Sequence, residues 1–516
     1  MNLFDRRRFL KGTLAAGGLM ILPSPLKCFS NLITPEGKEF DLKMVPEPIL
    51  EDDIELIELY NKAWELAYKH IKYQSGLPQS PYMDEAFDDS TIWIWDTCFM
   101  VHFCKYAPQV FPGIQSLNNF YVPLHDHEEI SLRICIPDNP PLFAWTEYEY
   151  FKLTGNKDHL KSLLYDKQYL QKHFDWFNKI KPNAVIAHSA PVCLEKRELG
   201  YKWEGGRSGM DNTPRGRKGV SAAEERPNNP DMLWIDAIAQ QGLSALYISR
   251  LFERMNDKKN AIIWKRHYRK IKDLVNRYYW NEKDGIYYDI NEKTLAPIKV
   301  ITPASFWPMF AEMCNKQQAE KLVMHLRNNN ELGGVVPWVS LAREDADFHS
   351  DGHYWRGSVW LPTAYMGIKA LEKYGYHKLA YDSASQIVNH MLETYKNYSP
   401  HTIWECYNPN EPKPAQTANG EETVRPDFCG WSALGPISLL IENILGFYNI
   451  DSDQKIVSWS LNRKDRHGIK NLRFGNIATD IVYSDNSITI QSNEAYTLKI
   501  NDKPYPINPG KQSFKL

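Results

Sequence analysis

The chain has 516 residues, 43% hydrophobic and 24% charged, with a formal net charge of −2. That is the balance of a folded globular protein long enough to bury a large core, and it excludes a disordered or collagen-like chain. A charge so near zero also gives no broad attraction to nucleic acid or to an anionic membrane surface.

In chain order, residues 1–30 read as an export signal. Arg6-Arg7-Arg8-Phe9-Leu10-Lys11 precedes an uncharged stretch from Gly12 to Leu22 and then Pro23-Ser24-Pro25. The apolar run is too short to span a bilayer, and the arginines resemble a twin-arginine signal, which places the mature protein in a periplasm. An uncleaved anchor uses the same residues and stays open. Cys28 follows Pro25-Leu26-Lys27, a poor lipobox. The other cysteines form no C-x-x-C pair, so they read as buried apolar residues and not as metal ligands.

From 51 to 448 apolar residues recur at three- and four-residue spacing. The spacing predicts helices over 52–74, 93–106, 138–154, 157–179, 229–256, 258–280, 316–328, 356–373, 376–397 and 429–446. Weaker candidates lie at 113–123 and 301–314. About twelve helices in consecutive pairs is the content of an (α/α)6 barrel. Two long polar interruptions, 181–228 and 398–428, are of the length that usually carries function. From Ser452 short β-like runs separated by turn signals predict a small antiparallel β module. The expected division is therefore a signal over 1–30, a helical barrel over 31–450 and a β module over 451–516.

Aromatic side chains are abundant, with 16 Trp and 29 Tyr. They suit either a large core or the apolar faces of sugar rings. Each long loop also holds a carboxylate in an unusual setting. Asp211 closes Glu204-Gly205-Gly206-Arg207-Ser208-Gly209-Met210-Asp211, where glycines permit close backbone approach and Trp203 and Met210 are positioned to shield the acid. The same residues also read as an Asp-Asn turn before Pro214. Glu405 lies between Trp404 and Cys406-Tyr407, where a carboxylate is costly to bury without a use. A loop-anchoring salt bridge is the alternative. Glycoside hydrolysis needs such a pair, one carboxyl protonated to release the leaving oxygen and one ionised to activate water or attack the sugar.

Six segments in order resemble inverting α-glucosidases of glycoside hydrolase family 63, with relatives among family 37 trehalases and mannosylglycerate hydrolases. They are Trp93-Ile94-Trp95-Asp96; Pro140-Pro141-Leu142-Phe143-Ala144-Trp145; Ser208-Gly209-Met210-Asp211; Tyr354-Trp355-Arg356-Gly357-Ser358-Val359-Trp360; Trp404-Glu405-Cys406-Tyr407-Asn408; and Asp427-Phe428-Cys429-Gly430-Trp431-Ser432. Asn139, Ser358, Cys406 and Cys429 depart from the family pattern. The resemblance implies Asp211 as general acid, Glu405 as general base, and a sugar site shaped by Trp95, Asp96, Trp145, Arg207, Trp355, Arg356, Trp360 and Trp431. It implies an oligosaccharide substrate with an α-linked, α-glucosidic bond; no cofactor is expected, and no metal is required because the carboxylates supply the proton transfers. For inversion the two carboxyl groups should stand about 6.5–9.5 Å apart. A lyase or phosphorylase on the same fold, or a non-catalytic sugar-binding relative, is the alternative.

Other polar clusters read as structural. Asp284-Gly285 follows Asn281 without the spacing of a calcium loop, so a turn between short strands is expected. His349, His353 and His401 lack the H-E-x-x-H context of a zinc pair.

Overall fold

The computed structural model describes residues 40–85, 89–135, 138–184, 191–216, 229 and 231–516. The signal expected over 1–30, with Cys28, lies outside the described residues.

Between about 50 and 445 the chain is dominated by helices: α1 (Ile54–Lys69), α2 (Ile94–Cys104), α3 (Phe143–Thr154), α4 (Tyr169–Lys179), α5 (Ile235–Arg254), α6 (Lys258–Tyr278), α7 (Lys316–Arg327), α8 (Leu361–Lys373) and α9 (His377–Asn397). Their burial falls into two kinds. Every residue of α2 is buried, and α5 is buried along most of its length, so both are core helices. In α6 only Ala261, Tyr268 and Val275 are buried, one stripe laid against α5. The wide, π-wound segment Gly435–Ile444 is buried throughout. Helix starts follow local chemistry. The Asp257 carboxylate caps α6 by accepting from the Asn260 N–H at 3.0 Å, and Asn315 and Gln318 form a reciprocal capping box at α7.

Several expected helices are shorter than their apolar pattern. Proline lacks an N–H and disfavours helix before it, so α3 begins after Pro140-Pro141. The pattern over 157–179 breaks at Gln168, whose φ of 55° is left-handed. Met232–Leu233 forms a strand ahead of α5. The two weaker candidates contain only the four-residue helices Asn118–Tyr121 and Trp307–Phe310 beside tighter or wider turns. Near Asp284 the chain makes a turn from Trp280–Asn281 into Ile286–Tyr287, as expected.

The C-terminal module is a pair of sheets. Its strands are β1 (Glu47–Leu50), β2 (Asn449–Asp451), β3 (Ile456–Trp459), β4 (His467–Phe474), β5 (Ile477–Ser484), β6 (Ser487–Ser492), β7 (Tyr496–Ile500), β8 (Lys503–Ile507) and β9 (Gly510–Lys515). One sheet runs β1-β4-β5-β6-β9, antiparallel throughout, with β5 alternating buried and half-buried residues. The other runs β2-β3-β7-β8 and includes one parallel pair, Ile456 opposite Thr497 through Trp459 opposite Ile500. The expected antiparallel module is present apart from that pair: the chain between β3 and β7 crosses through the other sheet, so it returns in the same direction. β1, drawn from ahead of the first helix, completes the five-stranded sheet.

Of the cysteines described, all are free thiols and all but half-buried Cys193 are buried. No helix among the described residues is long and apolar enough to cross a membrane.

Candidate active site

The core helices bring their N-terminal ends to one side of the molecule. Trp95 and Asp96 lie in the first turn of α2, Asp236 in the first turn of α5, Trp360 just before α8, and Trp431 just before the turn leading into Gly435–Ile444. All are buried. The acid-bearing loops cross this end.

The Asp211 loop is folded tightly on itself. A Cβ at Gly205 would sit 2.9 Å from the Asp211 carbonyl oxygen. Gly209 has φ +83°, and a Cβ there would sit 3.0 Å from the Trp95 indole, so the backbone lies directly against that ring. Asp211 itself is 4% exposed. Two anchors hold the loop downstream. Asn212 accepts from the Trp355 N–H at 2.8 Å and donates to the His353 carbonyl at 2.9 Å, while its own carbonyl accepts from Arg356 Nε at 3.1 Å. Arg215, 1% exposed on its side chain, donates to both oxygens of Asp236 and both of Asp289 at 2.6–3.0 Å, and its guanidinium lies over Trp234. Burial alone would lower the pKa of Arg215, but the two carboxylates outweigh it and hold the cation above its ordinary value.

Glu405, 1% exposed, is fixed from the other direction. Tyr354 donates its hydroxyl to Glu405 Oε1 at 2.7 Å, and the Arg425 N–H approaches Oε2 at 3.4 Å. The Glu405 carbonyl accepts from Trp431 Nε1 at 2.8 Å and from the Ser432 hydroxyl at 3.1 Å. Trp355 and Trp360 stack with centroids 4.1 Å apart and planes 7° from parallel, and Trp360 leans on Trp431 at 5.5 Å. Residues 353–356 are thus the junction of the site. Asn212, next to Asp211, grips Trp355 and Arg356, and Tyr354 between them grips Glu405.

The expected residues do not all meet at that junction. Trp355, Arg356, Trp360 and Trp431 do, through the contacts above, whereas Trp95 packs against the Asp211 loop at Gly209 and Asp96 is fully buried beside it. Arg207 lies one turn back, with Nε 3.0 Å from Glu204 and 3.7 Å from Asp138, and Nη2 donating to the Pro191 carbonyl, so it clasps neighbouring loop segments. Burial pushes the Asp138 carboxyl up while Arg207 pulls it down, with the upward effect prevailing. Trp145 stands deeper, its ring 4.0 Å from His102 and separated from Trp95 by Phe99, and it lines a different cavity.

Sequence reasoning missed Asn212, Arg215 and Tyr354 as working parts. Tyr354 stood inside a recognised motif and Asn212 beside the acid, so both were visible as residue types but not as contacts. Arg215 offered no signal, because its partners lie 21 and 74 residues away.

A family model described as "Mannosylglycerate hydrolase MGH1-like glycoside hydrolase domain" matches residues 136–421. An uncharacterized protein of Borreliella burgdorferi is 26% identical over 505 residues, 92% of this chain and 99% of that protein. The mannosyl-oligosaccharide glucosidase of Saccharomyces cerevisiae is 23% identical over 306 residues, 54% of this chain and 34% of the yeast protein. Among solved structures, a sialidase superposes with a TM-score of 0.65 at 11% identity, covering 91% of this chain and 40% of its own. The GH63 mannosylglycerate hydrolase of Thermus thermophilus, in complex with glucose, superposes with a TM-score of 0.53 at 16% identity, covering 74% of this chain and 99% of its own. At these identities the structural likeness is one of fold.

Proposed function

We propose, from the premise that this chain belongs to the mannosylglycerate hydrolase MGH1-like glycoside hydrolases of family 63, that it cleaves an α-glucosidic bond in an oligosaccharide with inversion. In this reading Asp211 protonates the leaving oxygen and Glu405 deprotonates the attacking water. The two kinds of helix, buried along most of their length or buried on one stripe, are read as the inner and outer rings of an (α/α)6 barrel, with the acids at the N-terminal ends of the inner ring.

One observation carries the assignment of roles. The turn at residues 353–356 ties the neighbour of Asp211 to Trp355 and Arg356 and ties Tyr354 to Glu405, so two acids 194 positions apart in sequence (405 − 211) share one anchoring segment. The Tyr354 hydroxyl donates to Glu405 Oε1 and fixes the orientation of the carboxylate, the positioning a general base needs. The Asp211 loop is packed on Trp95 and buried, which shields the acid from solvent. The glucosidic choice rests on the yeast relative's name and on the glucose complex of the Thermus protein. Export through the twin-arginine-like residues 6–11 belongs to the same proposal and is checked by locating the mature protein in a periplasmic fraction.

The deciding experiment is proton NMR of hydrolysis across a panel of α-glucobioses, trehalose and α-mannosides. The proposal expects first release of the β-anomer, and a loss of about 10²–10⁴-fold in kcat for each of Asp211→Asn and Glu405→Gln. First release of the α-anomer would overturn inversion, and full activity in either variant would overturn its role.

A further inference from the structure

We propose that the cavity at the opposite end of the core helices is a second carbohydrate site, taking a neutral mono- or disaccharide through its hydroxyls. The cavity has a volume of about 470 Å³, within the range of small-molecule sites. It is not part of the candidate active site. Lys105 follows the last residue of α2, Lys152 lies in the last turn of α3, Arg254 ends α5 and Lys373 ends α8, so the lining comes from C-terminal ends. The aromatic column Trp145–Phe99–Trp95 separates the two ends.

The charge pattern selects the ligand. Cations at helix C-termini complement the backbone dipoles, so their presence alone implies no anion. Every base that lines the cavity also has an acidic partner. Lys105 and Lys369 pair with Glu442 at 3.2 and 2.6 Å, Lys152 with Glu149 at 3.3 Å, Arg250 and Lys373 with Glu312 at 2.7 and 2.8 Å, and Arg254 with Asp451 at 2.5 Å. An anionic ligand would have to displace a carboxylate, and a cationic one an ammonium. A polyol displaces neither, because each hydroxyl donates to a carboxylate and accepts from an ammonium group. Trp145, Tyr148, Tyr247 and Phe310 add the aromatic wall that sugar C–H faces pack against. The pairing also holds donors and acceptors in place before a ligand arrives, which lowers the ordering cost of binding.

The test uses the full chain carrying Glu405→Gln, so that sugars bind without turnover. It compares that protein with the same chain carrying Gln454→Trp as well. Gln454 is exposed at the cavity, and its side-chain amide makes no hydrogen bond among the described residues, so an indole there obstructs the cavity without unpairing a charge. Titration with glucose, maltose and trehalose, read by saturation-transfer NMR, is expected to show two sites in the first protein and one in the second. In the Glu405→Gln crystal soaked with maltose, density is expected beside Trp145 and Tyr247. Gln454→Trp alone should leave kcat and KM on the hydrolysed substrate within about twofold of the parent. No sugar in the cavity, or a site count unmoved by Gln454→Trp in a folded protein, overturns the proposal. Failure of the parent chain to hydrolyse any glycoside, with the cavity still filled, would instead overturn the assignment of Asp211 and Glu405 and leave this site standing.

Discussion

Tyr354 is held at φ +66° and its neighbour His353 at +34°, conformations that cost a side-chain-bearing residue free energy and persist only when their surroundings enforce them. Here the enforcing contacts are the ones that aim the phenol at Glu405: the Tyr354 carbonyl accepts from Trp360 Nε1 and its N–H donates to the Gln416 carbonyl. Hydrogen bonds to charged groups are worth about 1.5–3 kcal/mol, so Tyr354→Phe should cost roughly 10–100-fold in kcat. The loss should fall on kcat and leave KM within about twofold, because the phenol orients the carboxylate. A purely structural role for Tyr354 would instead lower thermal stability and leave the kcat of the folded protein unchanged. His102 makes a second residue-level prediction. Burial first, and then Lys105 nearby, push its imidazole down to about 3, with Glu149, Glu442 and Lys369 the other charged groups facing it. Neither ring nitrogen has a hydrogen-bond partner among the described residues. The folded state therefore keeps the ring neutral while the unfolded chain protonates it at its ordinary value, so its contribution is complete above about pH 6.5 and is lost as pH falls toward 3. Denaturant unfolding at about pH 7 and about pH 4.5 should show the stability gap narrow by up to ~3 kcal/mol in His102→Phe. An unchanged gap would mean that the imidazole is already charged in the fold.

Among elements, the Asp211 loop and its anchors decide how tightly the acid is held. Gly209→Ala puts a Cβ against the Trp95 indole at a left-handed φ, so both relief routes are closed. It should lower kcat sharply while Trp95→Phe, which makes room, restores part of it; no rescue would show that backbone strain and not ring contact is decisive. Arg215→Met leaves Asp236 and Asp289 buried without their cation, a loss of about 3–5 kcal/mol, and thermal unfolding should register it directly. This is also where sequence reading ran out. The glycines and acid were legible because loops that close need them, and helices such as α5 and α6 were legible because 3.6-residue periodicity is local. The anchors were not, since an arginine in a polar loop looks the same whether it meets solvent or two buried carboxylates. Helix starts were overextended for a similar reason: apolar residues at 140–142 and 232–234 are buried, but prolines in the first and a strand pairing in the second set their backbone.

At the scale of the molecule, the alternating pattern of the tail revealed a β module but not how it is joined to the helices, because strand pairing is non-local. β1 comes from residues 47–50 and pairs with Leu50 opposite His467, so the five-stranded sheet is completed from the other end of the chain. The module also finishes helix α3: the carbonyls of Lys152 and Leu153, which have no intrahelical partners at a helix end, accept from the N–H groups of Ser452 and Gly475 at 2.7 and 2.8 Å. Arg254, at the end of α5, pairs with Asp451, and Trp459 stacks on Phe447 while donating to the Leu445 carbonyl. A module attached this way is part of the helical domain's stability and not an appendage. A chain ending at Tyr448 would leave β1 unpaired, two helix ends open and Phe447 without its ring partner. We expect it to collect in the insoluble fraction, or to melt about 10 °C or more below the full chain. Supplying residues 449–516 as a separate peptide should not restore activity, because β1 and the ends of α3 and α5 would have to be held open until it docked. If the truncated chain instead folds and hydrolyses its substrate at the parental kcat, the contacts at Lys152, Leu153 and Arg254 contribute nothing that the helices do not already supply. The sheet would then have to be explained by a role away from the active site.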